Sequence, residues 1–202
     1  MAEPLILYTN PRSRGAIATW MLEETGAPYE TRVVEFGPEM QAPSFRALNP
    51  MAKVPVLVRG DTVVTECAAI CAWLADTFPE AGLAPATGDR AAYYRWLFFA
   101  AGPLEAAVTN KALGVEVGAK ERGFVGYGAG LPGVLDTLET AIAANPWIAG
   151  PRFSAADVYV GSQIGWGMMF GSIERRPAFE DYWGRLAERP ANVIARGMRE
   201  TA

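Results

Sequence analysis

Apolar residues alternate with punctuation in a way that divides the chain early. PLILYT (4–9) is a short apolar run closed by Asn10-Pro11, the pattern of a buried strand. After Ser13, residues Ile17, Trp20, Met21 and Glu24 keep the i, i+3, i+4 rhythm of a helix, and Gly26 supplies its C-terminal stop. YETRVVEF (29–36) reads as a second strand, so strand, helix and strand make a right-handed parallel crossover. PSFRAL (43–48) is short enough for one or two helical turns. VPVLV and TVV flank Arg59-Gly60-Asp61, which predicts an antiparallel hairpin. ECAAICAWLADTF (66–78) predicts a helix that is apolar nearly all round and therefore buried between layers.

The character changes after PEAGLAPATGDR, a Pro/Gly-rich linker. Beyond it the patterns are helical: 90–108, 131–144, 154–169, 178–189 and the tail. The expected architecture is α/β plus all-α. A βαβ-ββα unit spans 1–80 and an all-helical domain spans 88–202, with no internal repeat.

Composition narrows the chemistry. The chain has 202 residues, half of them apolar, ample for a core. A net charge of −4 gives no electrostatic reason to expect nucleic acid or an anionic membrane as partner. The first residues lack a basic, signal-like start, and no run approaches the roughly 18 apolar residues of a membrane span, so the expectation is a soluble, cytoplasmic protein. With no histidine, triads and metal sites that need imidazole are excluded, and no metal site is expected from the two cysteines, Cys67 and Cys71. Their C-x-x-x-C spacing shares one helix face and does not suggest a disulfide scaffold.

Several positions carry candidate chemistry beside an ordinary structural reading. Ser13, between Arg12 and Arg14, is either a helix cap or a group holding something reactive. Pro55 either opens a strand or follows a cis bond, which would expose the Val54 N–H and C=O to an extended peptide. Glu66-Cys67 opens a helix, where unpaired N–H groups suit a carboxylate and Glu66 suits an ammonium group. SAAD (154–157) fits a capping box. GAGLPG (128–133) matches a dinucleotide fingerprint formally, but lies in the helical half and contains Pro132, so it reads as a loop entering a helix.

NPMAKVPVL (49–57), TECAAICAWL (65–74) and FSAAD (153–157) together resemble the cytosolic glutathione transferase family, in the family's order and over essentially the whole chain. The resemblance implies a thioredoxin-like N-terminal domain, an all-helical C-terminal domain and a homodimer. It implies glutathione as co-substrate, with Val54 pairing to its cysteinyl backbone, Glu66 and Cys67 holding its γ-glutamyl end, and Lys53 near its glycyl carboxylate. The family usually has serine where Cys67 stands, and a thiol is the weaker donor. LYTNPRSRGAIATWMLEE looks like the serine-type bacterial members, which makes Ser13 the group that activates the thiol, with Tyr8 as runner-up. Conjugation of the thiolate to an apolar electrophile, the detoxification chemistry of the family, is the implied activity. Its second substrate would sit against helices carrying Phe99, Pro103 and Trp166. The alternatives are a non-catalytic binding or regulatory protein, and glutathione-dependent isomerase, peroxidase or disulfide-reductase chemistry.

Overall fold

The computed structural model describes residues 3–128 and 130–200. They form two compact units: residues up to Ala84 together with those from Glu188, and Pro85–Ala187.

The first unit holds one four-stranded sheet in the order β2-β1-β3-β4. Strands β1 (Leu5–Thr9) and β2 (Tyr29–Val33) are parallel and joined by helix α1 (Gly15–Thr25). β3 (Val56–Arg59) runs antiparallel to β1, and β4 (Thr62–Val64) returns beside it through a turn at Gly60, whose φ of 56° suits a residue without a Cβ. Helices α2 (Pro38–Gln41) and α3 (Pro43–Leu48) precede β3, and α4 (Cys67–Thr77) follows β4. Gly26 ends α1 in the left-handed conformation, as its sequence position predicts. The alternation of β1 divides the core. Leu5, Leu7 and Thr9 are buried on the α1 side, and Tyr8 packs on the other side against Val34, Met40, Phe45, Ala52 and Val56. α4 is less enclosed than its composition predicts. Cys67, Ile70, Cys71, Leu74 and Ala75 are buried, while Ala68, Ala72 and Trp73 are half-buried, because only one face meets the sheet and α1.

The last helix, α10 (Pro190–Glu200), is placed by sequence with the helical half but packs on α1 in the first unit. Arg189 makes two 2.6 Å bonds to the Glu24 carboxylate, which also accepts the Trp20 indole N–H at 2.8 Å.

The second unit is helical: α5 (Ala91–Phe99), α6 (Glu105–Ala112), α7 (Gly130–Ala144), α8 (Ala155–Phe170) and α9 (Pro177–Ala187). α5 and α6 are one sequence pattern interrupted by a π-helical turn, Ala100–Leu104, where Pro103 has no N–H to continue the ladder. The last four residues of GAGLPG, Gly130 to Gly133, open α7 itself, with Pro132 in its first turn. α8 is capped as predicted: the buried Asp157 carboxylate accepts the Ser154 N–H at 2.9 Å and its hydroxyl at 3.1 Å. It also accepts Ile148 N–H and Tyr182 O–H, both at 2.8 Å. Burial pushes the Asp157 pKa up, and these bonds offset only part of that rise. α8 carries glycines where α9 comes close. A Cβ at Gly161 would overlap Leu186, and one at Gly165 would stand 2.6 Å from the Trp183 ring. Arg176 ties α7 to the turn before α9 through Asp136 at 2.8 Å and Glu139 at 2.7 Å, and pairs with Glu174.

Candidate active site

Strand direction gathers the candidate residues of the first unit. β1 ends, β3 begins and β4 ends at one edge of the sheet, because Tyr8 pairs with Val56 and Leu57 with Val64. The β1–α1 turn, the loop before β3 and the start of α4 therefore lie together.

Ser13 sits half-buried in the first of these. The N-cap position of α1 belongs to Arg14, which makes no side-chain cap, so Ser13 lies one residue before the place a capping role predicts. Its hydroxyl still serves the helix start: it accepts the Gly15 N–H at 3.0 Å and donates to the Asn10 carbonyl at 2.7 Å. That carbonyl also accepts the Ser13 N–H at 2.9 Å. If the hydroxyl turns toward a ligand, the carbonyl keeps a partner. Arg12, one of the two flanking cations, is engaged elsewhere. It pairs with Glu35 at 3.6 Å and lies 5.5 Å from the centre of the Phe36 ring.

The Val54-Pro55 bond is cis, the second of the two readings open at Pro55 and the one the resemblance favours. Val54 is half-buried, and neither its N–H nor its C=O is bonded among the described residues. Lys53 beside it is exposed. On α4, Glu66 is the N-cap with φ 64° and ψ 116°, a conformation a non-glycine residue rarely takes. Its side chain is exposed. Backbone strain of this kind persists where the surroundings over-determine it and clusters at binding sites. Cys67 is buried, and its Sγ donates to the Arg14 carbonyl at 3.6 Å. Cys71, one turn on, is fully buried; contact with the Cys67 thiol and burial push its pKa well up, so it stays neutral. Both cysteines are free, and the described residues hold no cluster of potential metal ligands.

Tyr8, the runner-up, is placed differently. Its hydroxyl accepts from Arg32 Nη1 at 2.9 Å, and its ring lies 6.2 Å from that of Phe45 on the sheet face away from α1. Phe99, Pro103 and Trp166 all belong to the helical unit and are half-buried there, with α5 and its π-helical turn packed on α8.

Two residues that shape the site escape a reading for chemistry. Asn10 is buried, donates from Nδ2 to Val34 O at 3.1 Å and accepts the Arg12 N–H on Oδ1 at 3.1 Å. Asn49, also buried, donates to Lys53 O at 2.9 Å and accepts the Met51 N–H at 3.0 Å. Each precedes a proline, and the two Asn-Pro pairs are the signal: an asparagine amide builds its own turn and proline fixes the next φ.

The sequence matches the family described as glutathione S-transferase, N-terminal domain, over residues 16–77, a span that holds Lys53, Val54, Glu66 and Cys67. Glutathione S-transferase 3 of Zea mays is 32% identical over 206 residues, covering 93% of this chain and 91% of that protein. A maleylpyruvate isomerase of Ralstonia sp is 30% identical over 149 residues, covering 69% of this chain and 70% of that protein. Among solved structures, a glutathione transferase from Methylococcus capsulatus str. Bath gives a TM-score of 0.81 at 28% identity, over 98% of this chain and all (100%) of that one. A sphingomonad glutathione S-transferase complexed with glutathione gives 0.79 at 29% identity, with coverage of 98% and 100%. The thioredoxin-like sheet unit and the helical unit match these structures, and the chain belongs to the glutathione S-transferase family.

Proposed function

We propose that the chain is a glutathione transferase that joins the glutathione thiolate to an electrophilic carbon of a mostly apolar compound. The supporting observation is the convergence at one sheet edge of the Ser13 hydroxyl, the unengaged Val54 peptide groups and the start of α4 at Glu66-Cys67. Glutathione lies extended along this edge. Its cysteinyl N–H and C=O pair with Val54, its γ-glutamyl ammonium sits beside Glu66 and the adjoining carboxylate meets the Cys67 N–H. Lys53 attracts the glycyl carboxylate.

Ser13 turns its proton from the Asn10 carbonyl to the sulfur. A donor at the sulfur and the positive end of α1 both favour the thiolate, so the thiol pKa falls and more of it is nucleophilic at neutral pH. The thiolate forms the C–S bond. A leaving group departs with the electron pair, or the resulting carbanion takes a proton. The N-terminal domain (1–80) supplies glutathione recognition. The helical domain supplies the apolar wall, with Phe99, Pro103 and Trp166 as its candidates. The protein works as a cytoplasmic homodimer, so light scattering should give twice the chain mass of 21.7 kDa. None of the described helices is long and apolar enough to cross a membrane.

The likeness to a maleylpyruvate isomerase favours a second reading on the same site, in which the thiolate adds to a double bond, permits rotation and leaves again. The deciding experiment is an activity panel of aryl halides, epoxides, peroxides, mixed disulfides and cis-enones, run on the native protein and on Ser13→Ala. Glutathione consumption with halides or epoxides, reduced in the variant, supports transfer. Isomerisation without net consumption of glutathione supports the second reading. Glutathione binding with no turnover across the panel favours a non-catalytic binding protein.

A further inference from the structure

The Thr9 side chain is buried, with 4% of its surface exposed, and its Oγ1 has no hydrogen-bond partner among the described residues. Valine has nearly the same shape and avoids the cost of burying an unpaired hydroxyl, so the threonine calls for an explanation. The residue closes β1 and faces α1. There it meets the first residue of the helix: a Cβ at Gly15 would overlap Thr9 Oγ1 outright and stand 3.1 Å from Ser13 Oγ. Gly15 is thus a glycine for space, and the space it leaves is flanked by two hydroxyls. One of them is the hydroxyl assigned to the thiol.

The Ser13 hydroxyl, as it stands, donates to the Asn10 carbonyl and accepts one N–H from Gly15. Donation to sulfur requires it to rotate. The carbonyl tolerates that loss because it keeps the Ser13 N–H at 2.9 Å. The rotation changes the lone pairs of Ser13 Oγ available to Thr9, whose proton is uncommitted. A hydroxyl that accepts a second hydrogen bond becomes a stronger donor, since chains of such bonds polarise one another.

We propose that Thr9 is a positioning residue for Ser13: in the glutathione-bound state its Oγ1–H donates to Ser13 Oγ, holding that hydroxyl in the rotamer that faces the sulfur. The inference rests on Ser13 being the thiol-activating group. It gives the buried hydroxyl a partner at the step where one is needed, and it assigns Gly15 the role of keeping the two oxygens close.

The test compares Thr9→Val, Thr9→Ser and Ser13→Ala with the native protein. The readouts are the pKa of enzyme-bound glutathione from thiolate absorbance, glutathione affinity by calorimetry and thermal stability. Thr9→Val should raise the bound thiol pKa and lower kcat roughly three- to tenfold, part of the worth of one hydrogen bond, with affinity nearly unchanged. Thr9→Ser should restore the native pKa. In a Ser13→Ala background, Thr9→Val should move it no further. If Ser13→Ala raises the pKa and Thr9→Val does not, the Thr9 role is overturned and the Ser13 reading stands. The Thr9 role also falls if Thr9→Val only lowers the melting temperature, since Thr9 lines a cavity of about 100 Å³ with Thr19 and Thr31 and would then serve its hydration. If neither variant moves the pKa, both readings fall.

Discussion

Cys67 Sγ donates to the backbone carbonyl of Arg14 at 3.6 Å, joining the first residue of α4 to the residue that caps α1. The bond spans 53 positions of sequence and fixes the two helix starts beside each other. A thiol is a weak donor for this task. Cys67→Ser should keep the geometry, and when its one hydroxyl proton passes from the Arg14 carbonyl to the γ-glutamyl carboxylate it should make the stronger bond there, by about 1 kcal/mol, or roughly fivefold in Kd. Calorimetry should show equal or tighter glutathione binding. Clearly weaker binding in the serine variant would contradict the assigned role.

Glu66 holds φ at 64° and exposes its carboxylate. Glycine adopts that conformation without a Cβ penalty. Glu66→Gly should therefore keep or raise the melting temperature while weakening glutathione binding about tenfold or more, the loss of one charge-assisted contact. A variant that binds glutathione as the native protein does would remove Glu66 from the site.

The Arg189–Glu24 pair should be structural and costly to break from one side. Glu24 keeps only 7% of its side-chain surface exposed, against 29% for Arg189. Arg189→Met leaves that carboxylate with the Trp20 N–H and no guanidinium, and should cost about 3 kcal/mol. Arg189→Met with Glu24→Leu should cost less than the single change. Urea titration of the three proteins checks the order.

Local punctuation is legible in the sequence alone: Gly26 ends α1, Gly60 turns the hairpin and Ser154 with Asp157 caps α8, whereas at Pro55 the pattern leaves a strand start and a cis bond both open. Each acts through its own backbone or a neighbour a few residues away. The placement of α10 on α1 is not legible, because Glu24 and Arg189 are 165 positions apart and either alone looks like a surface charge. The π-helical turn is hidden for a related reason: the pattern reads as one helix over 90–108, and whether a chain ends or widens at Pro103 depends on what packs around it. At the site, residue types point to Ser13, Val54 and Glu66. The partners of their neighbours, Arg12 with Glu35 and Tyr8 with Arg32, come from strand pairing and loop closure that no local pattern encodes.

Tyr8 provides the control. Its hydroxyl is engaged by Arg32 on the sheet face away from α1. Tyr8→Phe should change kcat less than about threefold, under the worth of one ordinary hydrogen bond, and leave the bound thiol pKa alone. Ser13→Ala should raise that pKa and lower turnover about 10- to 150-fold, the worth of a charge-assisted bond of roughly 1.5–3 kcal/mol. Steady-state kinetics and thiolate absorbance on the two variants separate the candidates.

The most direct measurement is a crystal structure of the protein with glutathione bound. We predict the cysteinyl backbone paired with Val54, the γ-glutamyl end at Glu66 and Cys67, and the sulfur within hydrogen-bonding distance of Ser13 Oγ, whose proton has left the Asn10 carbonyl. A sulfur seated against the Tyr8 hydroxyl, or a glutathione bound away from this edge of the sheet, would contradict the proposed role of Ser13 and the site built around it.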